Sequence, residues 1–364
     1  MVYRIVATRS LASYGISMAM TATALAIAKL LRLWLQPEVP GQVSGPLFLG
    51  AVVVSTSLGG MRSGLLTTIL STLCRKLFFI PPVYSLKLGW EDVPRLAVFL
   101  LVALLISRLN ARRHVAESEL LATQEQMRVA QAIQQKLIPV WTPESPFFEM
   151  AGQFRPADAT GGDYFDYFSM RDGCIGVVLG DVSGHGFGSA LLMAETRAYL
   201  HALAMLQDDP GELISGLNRL ITKDTDEERF LTLVFVRLNP HSRSFVYAGA
   251  GHEGYLFDAD GRLTRLRSTG LALGIEHDTV IPCSEAIALG PGSVLVLVTD
   301  GFFETETAEG AMFGLNRLFD VVRRNRDKNA RGILDSLFAA VSHDSVDVES
   351  VRDDQTAVVI KGKV

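Results

Sequence analysis

The stretch Gly180-Asp181-Val182-Ser183-Gly184-His185-Gly186 decides how this chain is interpreted, because it directly follows Cys174–Leu179, an apolar run typical of a buried strand. Three more acidic motifs adjoin strand-like segments: Gly161-Gly162-Asp163, Thr299-Asp300-Gly301 and Asp353-Asp354-Gln355-Thr356. Each motif alone is typical of a turn. Together, strands that begin or end in aspartates can gather carboxylates at one sheet edge, where they repel each other unless hard cations such as Mg²⁺ or Mn²⁺ lie between them. The pattern predicts a divalent metal site.

The order of these motifs resembles that of the metal-dependent serine/threonine protein phosphatases of the PPM (PP2C) type, and specifically their SpoIIE/RsbU-like branch. The matching region runs from about Ala130 to Ile360 and includes Ala250-Gly251-His252, although Glu253-Gly254 departs from the Asn-Pro usual in this family. The resemblance implies an α+β domain with an α/β/β/α sandwich, two divalent cations (Mn²⁺ or Mg²⁺), and hydrolysis of phosphoserine or phosphothreonine. It also implies a partner, a phosphorylated regulatory protein of the anti-sigma-factor antagonist type.

The resemblance implies roles for individual residues. The expected metal ligands are four carboxylates and one backbone carbonyl oxygen, from Asp163, Asp181, Asp300, Asp353 and Val182. Asp353 matches the family pattern better than Asp354, and Asp166 is expected to support the site rather than bind metal. His185 is a candidate proton donor to the leaving seryl oxygen, or it simply orders the glycine loop. His252 is expected to have a packing or turn role.

The chemistry explains why such a site needs clustered carboxylates. Two adjacent cations neutralise charge on the phosphoryl oxygens and lower the pKa of a bridging water. A catalytically silent membrane receptor, whose phosphatase-like domain only binds a partner, is the alternative function, but it would not require all four aspartates. A two-metal phosphodiesterase acting on nucleotides shares the carboxylates but fits poorly with an acidic domain.

The charge of the chain is unevenly distributed. Residues 1–113 contain 12 Lys and Arg but only 3 Asp and Glu, whereas the whole chain has a net charge of −5. The C-terminal part is therefore acidic, which argues against a nucleic-acid partner because phosphate backbones bind basic surfaces. The three cysteines, Cys74, Cys174 and Cys283, have neither metal-ligand spacing nor a disulfide framework, and they fit a reducing compartment.

The N-terminal third contains apolar segments that predict membrane helices. Leu11–Ala28 is free of charge for 18 positions and Val39–Met61 for 23, enough to cross a hydrocarbon core of about 30 Å. Ser63–Pro82 and Leu96–Ser107 are weaker candidates, because Arg75-Lys76 interrupts the first and the second has only 12 uncharged residues. The residues alone therefore predict two good spans and two weaker ones.

Residues 14–113 resemble the four-helix membrane domain of KdpD-type sensor kinases. The similarity rests on Gly59-Gly60-Met61-Arg62-Ser63-Gly64 and on Phe78-Phe79-Ile80-Pro81-Pro82 with Tyr84, and it implies four short helices with both ends on one side. The positive-inside rule does not decide the orientation, because basic residues are equally numerous on the two faces. A phosphoprotein substrate favours a multi-pass protein of the cell (inner) membrane with a cytoplasmic phosphatase domain. A cleaved signal peptide ending at Ala26-Ile27-Ala28 is the rival interpretation.

A long helix is predicted to connect the two halves. Arg108–Leu137 contains no Gly or Pro and is rich in strong helix formers. Its 4-3 spacing of mostly apolar residues fits either a short coiled coil, which would allow a homodimer, or an amphipathic helix on the phosphatase surface. The expected domains are a four-helix transmembrane domain over 1–110, a linker helix over 111–140 and a phosphatase domain over 141–364.

The elements after Phe147 fall into separate blocks of strands and helices. Nine strand-like segments lie between residues 149 and 361, and four helix-like segments are predicted at Ser189–Leu206, Pro210–Lys223, Leu315–Arg324 and Ala330–Ser342. Separate blocks favour helices packed outside antiparallel sheets.

Overall fold

The computed structural model describes residues 2–35, 44–157, 160–184, 186–225, 229–307, 310–344 and 353–363. The chain forms two compact units, residues 1–124 and 125–364. Helix α3 (Asp92–Gln135) includes the boundary between them. The predicted linker helix is therefore part of a longer helix that begins before Arg108.

The N-terminal unit contains α1 (Val2–Leu35), α2 (Ser44–Phe78) and the first part of α3. Helix α2 is interrupted at Gly60, whose φ of 73° and ψ of −170° are not helical. The hydroxyls of Ser55 and Thr67 lie 2.6 Å apart, whereas a straight helix would separate these residues by about 18 Å. The chain therefore reverses at Gly60, and residues 44–59 and 61–78 form two antiparallel arms. The described part of this unit therefore contains four helical segments.

The interior of the N-terminal unit is rich in hydroxyl groups. Ser17, Ser55, Ser63, Thr67 and Ser107 are fully buried, and the Ser17 and Ser63 hydroxyls are 2.8 Å apart. Large apolar side chains instead cover the outside of the helices; at least 56 % of the residue surface is exposed for Met18, Leu30, Leu33, Trp34, Leu58, Ile69, Leu101 and Leu105. An apolar cluster with Phe48, Phe79 and Phe99 is buried as well, but so many exposed large apolar side chains are unusual for a water-soluble domain.

Basic residues at one end of the unit have partners within it. Arg32 donates to the carbonyl oxygen of Phe78 at 2.9 Å, and the Lys29 amine lies 4.2 Å from the centre of the Phe78 ring. The buried Lys76 amine pairs with Asp92 at 2.7 Å. Cations near helix C-termini interact favourably with unpaired carbonyl groups. Contacts within the fold thus account for basic residues that the sequence could not place.

The C-terminal unit contains two five-stranded sheets in which all strand pairs are antiparallel. The first has the order β1 (Phe148–Arg155), β10 (Gln355–Gly362), β9 (Val294–Val298), β6 (Gly254–Phe257) and β7 (Leu263–Leu266). The second has the order β2 (Tyr164–Ser169), β3 (Ile175–Val182), β4 (Leu231–Asn239), β5 (Ser244–Ala250) and β8 (Ile287–Ala288). The structure thus contains all nine predicted strands and adds the two-residue β8.

Helices cover the outer faces of both sheets. Helices α4 (Phe187–Ala204) and α5 (Pro210–Asp224) pack on the second sheet through a core that includes Leu200 and Phe235. Helices α6 (Gly314–Asn325) and α7 (Ala330–Asp344) pack on the first sheet around Phe302 and Val359. A third core, with Leu179 and Leu297, lies between the sheets. The unit is an α/β/β/α sandwich, as predicted.

Candidate active site

The sheet topology brings the four acidic motifs to one end of the sandwich. In the second sheet, Asp163 immediately precedes β2 and Asp181 lies near the end of β3, and these strands are antiparallel neighbours. In the first sheet, Asp300 follows β9 and Asp353 precedes the neighbouring antiparallel β10. In each pair, the end of one strand lies beside the start of the other. Thr299 and Thr356 of the first sheet donate hydrogen bonds to Asp163 at 2.8 and 2.6 Å, so the two pairs lie at the same end of the sandwich.

Asp163 is the most deeply buried of the predicted ligands. It is 1 % exposed, and its Oδ2 accepts hydrogen bonds from the hydroxyls of Thr356 at 2.6 Å and Thr299 at 2.8 Å. Burial raises the pKa of Asp163 well above its usual value, and the charges of Asp181 and Asp354 raise it further, while the two hydroxyls oppose the shift. The threonines fix this carboxylate in one orientation.

Asp181 lies at the centre of the acidic cluster. Burial, followed by repulsion from Asp300, Asp353 and Asp354, raises its pKa to about 8, and a hydrogen bond with Asp163 opposes this shift. A carboxylate beside several others in a buried place is stabilised as an anion by a nearby cation. The cluster therefore has the electrostatic character expected of a cation site.

Gly162 allows the loop before β2 to approach β3 closely. A Cβ atom at this position would lie 2.6 Å from the carbonyl oxygen of Val182 and 3.4 Å from Oδ1 of Asp181. The first distance is shorter than any normal contact, so a side chain would push the loop away. The absence of a side chain keeps the Val182 carbonyl, the predicted backbone ligand, close to the aspartates.

The two adjacent aspartates before β10 have different surroundings. Asp354 is 6 % exposed and accepts hydrogen bonds from the backbone N–H groups of Ala157 at 2.9 Å and Asp163 at 3.4 Å. Asp353 is exposed, and its charge adds to the effects of burial and of Asp300, which raise the pKa of both Asp181 and Glu304. The carboxylate of Asp354 thus holds the loop before β2. Of the two aspartates, Asp353 is therefore the better candidate for the metal ligand. The sequence did not reveal this role of Asp354.

Gln134, near the end of α3, is a second residue whose role the sequence did not reveal. Its Nε2 donates to the carbonyl oxygen of Gly161 at 2.6 Å, and its Oε1 accepts from the Gly161 N–H at 3.1 Å. The side chain is 5 % exposed. A glutamine in a mostly apolar helix seam was the available signal, because a buried amide needs polar partners.

Asp166 and His185 are the other two polar residues that the sequence singled out near the site. Asp166 is buried and accepts from the Tyr164 hydroxyl at 2.9 Å, and it lies 2.8 Å from Nε2 of His201 and 3.3 Å from Nε of Arg197. It joins β2 to α4, in line with the expected supporting role. His185, the candidate proton donor, lies outside the described residues.

His252 connects the two sheets beside the cluster. Its Nδ1 lies 3.0 Å from the Thr232 hydroxyl on β4, and its Nε2 lies 3.0 Å from the Val298 carbonyl oxygen on β9. A carbonyl oxygen only accepts, so Nε2 carries the proton and Nδ1 accepts from the hydroxyl. Burial lowers the pKa of His252 to about 4, so the ring is neutral at pH 7. This supports the expected packing role.

The donor groups of the cluster suit a hard divalent cation. They are all oxygen atoms, which Mg²⁺ and Mn²⁺ prefer over nitrogen or sulfur. Among the residues that the structure describes, no three acidic, histidine or cysteine side chains converge at metal-binding distances. The chemistry of these oxygen donors therefore fits a Mg²⁺ or Mn²⁺ ion, and the set of ligands remains a prediction.

Comparison with known proteins decides the family. The profile of Stage II sporulation protein E (SpoIIE) matches residues 171–363, which is more than half of the chain. The chain belongs to the SpoIIE family. Its C-terminal unit is a metal-dependent protein phosphatase domain, as the motifs predicted. A second profile, a domain of unknown function named DUF4118, matches residues 14–131.

Individual relatives agree with the SpoIIE assignment. Phosphoserine phosphatase RsbU of Bacillus subtilis is 26 % identical over 244 residues, which cover 66 % of this chain and 70 % of RsbU. The SiaA-PP2C domain of Pseudomonas aeruginosa superposes with a TM-score of 0.58 at 20 % identity, covering 67 % of this chain and 98 % of that domain. The RsbU and RsbW domains of Rv1364c from Mycobacterium tuberculosis give 0.53 at 24 % identity, covering 62 % and 63 %. The two structures support the fold.

Proposed function

We propose that this SpoIIE-family protein is a membrane-anchored phosphatase that uses Mn²⁺ or Mg²⁺ to hydrolyse phosphoserine or phosphothreonine on a regulatory partner protein. The proposal rests on four aspartates that adjoin strand ends at the same end of the sandwich, two in each sheet. Burial and mutual repulsion raise the pKa of Asp181 to about 8, and such a cluster is stabilised by divalent cations.

The proposed ligands are the carboxylates of Asp163, Asp181, Asp300 and Asp353 and the carbonyl oxygen of Val182. Bound cations would neutralise the phosphoryl oxygens and supply hydroxide at neutral pH. The chain's own contribution is to hold the oxygen donors in place before substrate binds. Thr299 and Thr356 orient Asp163. His185 remains a candidate proton donor for the leaving serine.

The N-terminal unit supports the membrane anchor. Among the described residues, the segments Ser13–Trp34 and Ser44–Phe78 are apolar enough for membrane helices, and the second is divided into two shorter antiparallel arms by the reversal at Gly60. Hydroxyl groups hydrogen-bond between helices in the interior, while large apolar side chains face outward. In lipid, small and hydroxyl residues pack helices together and apolar residues face the acyl chains. The proposal is a multi-pass anchor in the cell membrane with a cytoplasmic phosphatase domain.

The similarity to RsbU supports the choice of substrate. RsbU is a phosphoserine phosphatase, and the similar region covers two thirds of this chain. We infer that the partner is a small phosphorylated regulator of the anti-sigma-factor antagonist type, and that the α3 helix permits a homodimer. The net negative charge of the C-terminal part argues against a nucleic-acid partner.

The direct test is hydrolysis of p-nitrophenyl phosphate and of a phosphoserine peptide by the full-length protein in detergent. We expect activity with Mn²⁺, loss with EDTA and recovery with excess Mn²⁺. Asp181→Ala or Asp300→Ala should reduce activity by at least about a hundredfold while circular dichroism stays unchanged, because removing a carboxylate relieves repulsion.

A matched control is Asp278→Ala, because Asp278 is an exposed aspartate whose side chain contacts His277 outside the cluster. It should keep full activity. Activity within tenfold of the wild type in either cluster variant would refute the metal-site assignment. A folded wild-type protein that hydrolyses neither substrate in Mn²⁺ would instead favour the silent receptor.

A further inference from the structure

A groove of about 290 Å³ opens beside the aspartate cluster. Asp181, Asp300 and the buried Val298 line it on the side of the predicted metal site. The β6–β7 hairpin lines another side, and Phe303 and Leu315 also contribute. A polypeptide whose phosphoserine reaches the aspartates would therefore also contact the hairpin.

Arg265 supplies the positive charge of this groove. It lies on β7 directly opposite Tyr255 on β6, and its side chain is 51 % exposed. Of the described residues that line the groove, Arg265 alone is cationic at pH 7, because His252 is neutral. Asp181, Asp300 and Glu253 are the acidic residues of the same groove.

We propose that Arg265 is a specificity-determining residue that binds an acidic side chain of the substrate protein next to its phosphoserine. The inference rests on the phosphatase activity proposed above. The phosphoryl group would bind at the aspartates of the predicted metal site, Asp181 and Asp300 among them, whereas the half-exposed Arg265 lies on the hairpin side of the groove, where the surrounding polypeptide would pass. A guanidinium group binds carboxylates in a bidentate manner, so it can distinguish substrates by their flanking charge.

Glu253 holds Arg265 only loosely. Its Oε2 lies 4.0 Å from Nε of Arg265, which is beyond hydrogen-bonding distance, and both side chains are more than one third exposed. The Tyr255 ring lies 5.9 Å from the guanidinium carbon, at the outer limit of a cation–π contact. These contacts contribute little to the stability of the hairpin. A side-chain hydrogen bond with Tyr255 also holds the guanidinium near the groove. Because the Arg265 side chain is 51 % exposed, an incoming carboxylate can still reach it from the solvent side.

The test uses three phosphoserine peptides that differ only in their flanking residues, which are Glu, Ala or Lys. With full-length protein in detergent and Mn²⁺, we expect kcat/KM for the Glu peptide to exceed that for the Lys peptide at least about fivefold. Arg265→Ala should abolish this preference by raising KM of the Glu peptide by about the factor of the wild-type preference, with kcat and p-nitrophenyl phosphate hydrolysis within about twofold of wild type. Arg265→Glu should reverse the preference.

Two further variants separate Arg265 from general electrostatics. Arg267→Ala removes an equal charge two residues along the chain, from an exposed residue that does not line the groove, and should leave the preference unchanged. Glu253→Gln should lower KM for the Glu peptide, because the competing carboxylate is gone. The wild-type preference should shrink in about 0.5 M salt.

Three results would overturn the proposal: an unchanged preference in Arg265→Ala, an equal loss in Arg267→Ala, or loss of p-nitrophenyl phosphate hydrolysis in Arg265→Ala, which would assign Arg265 to the phosphoryl group. If the wild type hydrolyses no substrate, the proposed function fails separately. Binding of fluorescent Glu and Lys peptides to wild type and Arg265→Ala, measured by anisotropy, then tests the role of Arg265 on its own.

Discussion

Gln134 and Gly161 are joined by two hydrogen bonds, with the glutamine amide using both its nitrogen and its oxygen on the backbone of one glycine. Gln134 lies in the last turn of α3, and Gly161 lies two residues before Asp163. Both residues are buried. A displacement of this helix end would therefore pull on the loop that carries a predicted metal ligand.

The substitution Gly161→Ala should disrupt the predicted metal site by displacing the loop that carries Asp163. A Cβ atom at Gly161 would lie 1.9 Å from Oδ2 of Asp354, so the loop and Asp354 cannot both keep their positions. We expect activity on p-nitrophenyl phosphate to fall at least about tenfold, together with a rise in the Mn²⁺ concentration needed for half-maximal activity.

Gly290→Ala is the matched control, because a Cβ there would meet no heavy atom within 4 Å. It should behave as the wild type in both measurements. If Gly161→Ala keeps its activity and its Mn²⁺ requirement, the loop tolerates displacement and Asp354 does not fix it.

His252 predicts a pH dependence of stability. Its folded-state pKa of about 4 is below the usual unfolded value near 6.5, so the unfolded state binds more protons between these values. The contribution of His252 is fully present above about pH 6.5 and is lost as the pH falls towards 4. The full loss amounts to about 3 kcal/mol of unfolding free energy, at 1.36 kcal/mol per pKa unit.

Urea unfolding of residues 125–364 between pH 7.5 and 4.5 checks this dependence. His252→Gln can replace both hydrogen bonds but does not titrate, so its unfolding free energy should fall less steeply with acid than that of the wild type. His241→Gln, which changes an exposed histidine, should leave the slope unchanged. Equal slopes in wild type and His252→Gln would show that His252 is not buried in the neutral form.

The sequence predicted the features of the site that depend on strand pairing, but it did not predict the hydrogen bonds made by individual side chains such as Gln134 and Asp354. Aspartates at strand ends were informative because antiparallel neighbours align the end of one strand with the start of the other, as β9 and β10 do for Asp300 and Asp353. The partner of Gln134 is 27 residues away and is a backbone group, so neither spacing nor residue type could identify it. The same holds for Asp354, whose hydrogen-bond partners are N–H groups almost 200 residues earlier.

The N-terminal unit shows a similar limit. The glycines at 59 and 60 were part of the resemblance that implied four helices, but composition alone gave only two good spans. A positive φ at Gly60 is a backbone property that the sequence permits without requiring. The contact between Ser55 and Thr67 was needed to recognise the reversal.

The membrane half is predicted to cross the bilayer four times with both ends cytoplasmic. A reporter fused before Arg4 and one fused after Arg113 should then give the same result in a topology assay based on alkaline phosphatase and green fluorescent protein. Four helical segments of alternating direction return the chain to its starting side. Opposite results would require an odd number of crossings and would revive the signal-peptide interpretation.

The α3 helix is predicted to transmit the state of the membrane domain to the phosphatase. It contains no glycine, and no proline beyond its first turn, and Arg108–Leu137 would extend about 45 Å at 1.5 Å per residue. Its last turn carries Gln134, which is bonded to the loop before Asp163. Such a helix can carry a rotation or shift as a stiff element, which a two-state switch requires.

Inserting two glycines after Thr123 should break this link without changing any predicted ligand. In membranes of varied lipid composition, the activity of the full-length variant should become constant and equal to that of the isolated fragment from Glu125 onward, which keeps Gln134, because glycines destabilise the helix. Inserting seven alanines is the matched control; it adds nearly two whole turns, about 700° of rotation, and should preserve regulation. If the glycine variant still responds to lipid composition as the wild type does, the helix only tethers the phosphatase and the transmission mechanism is wrong.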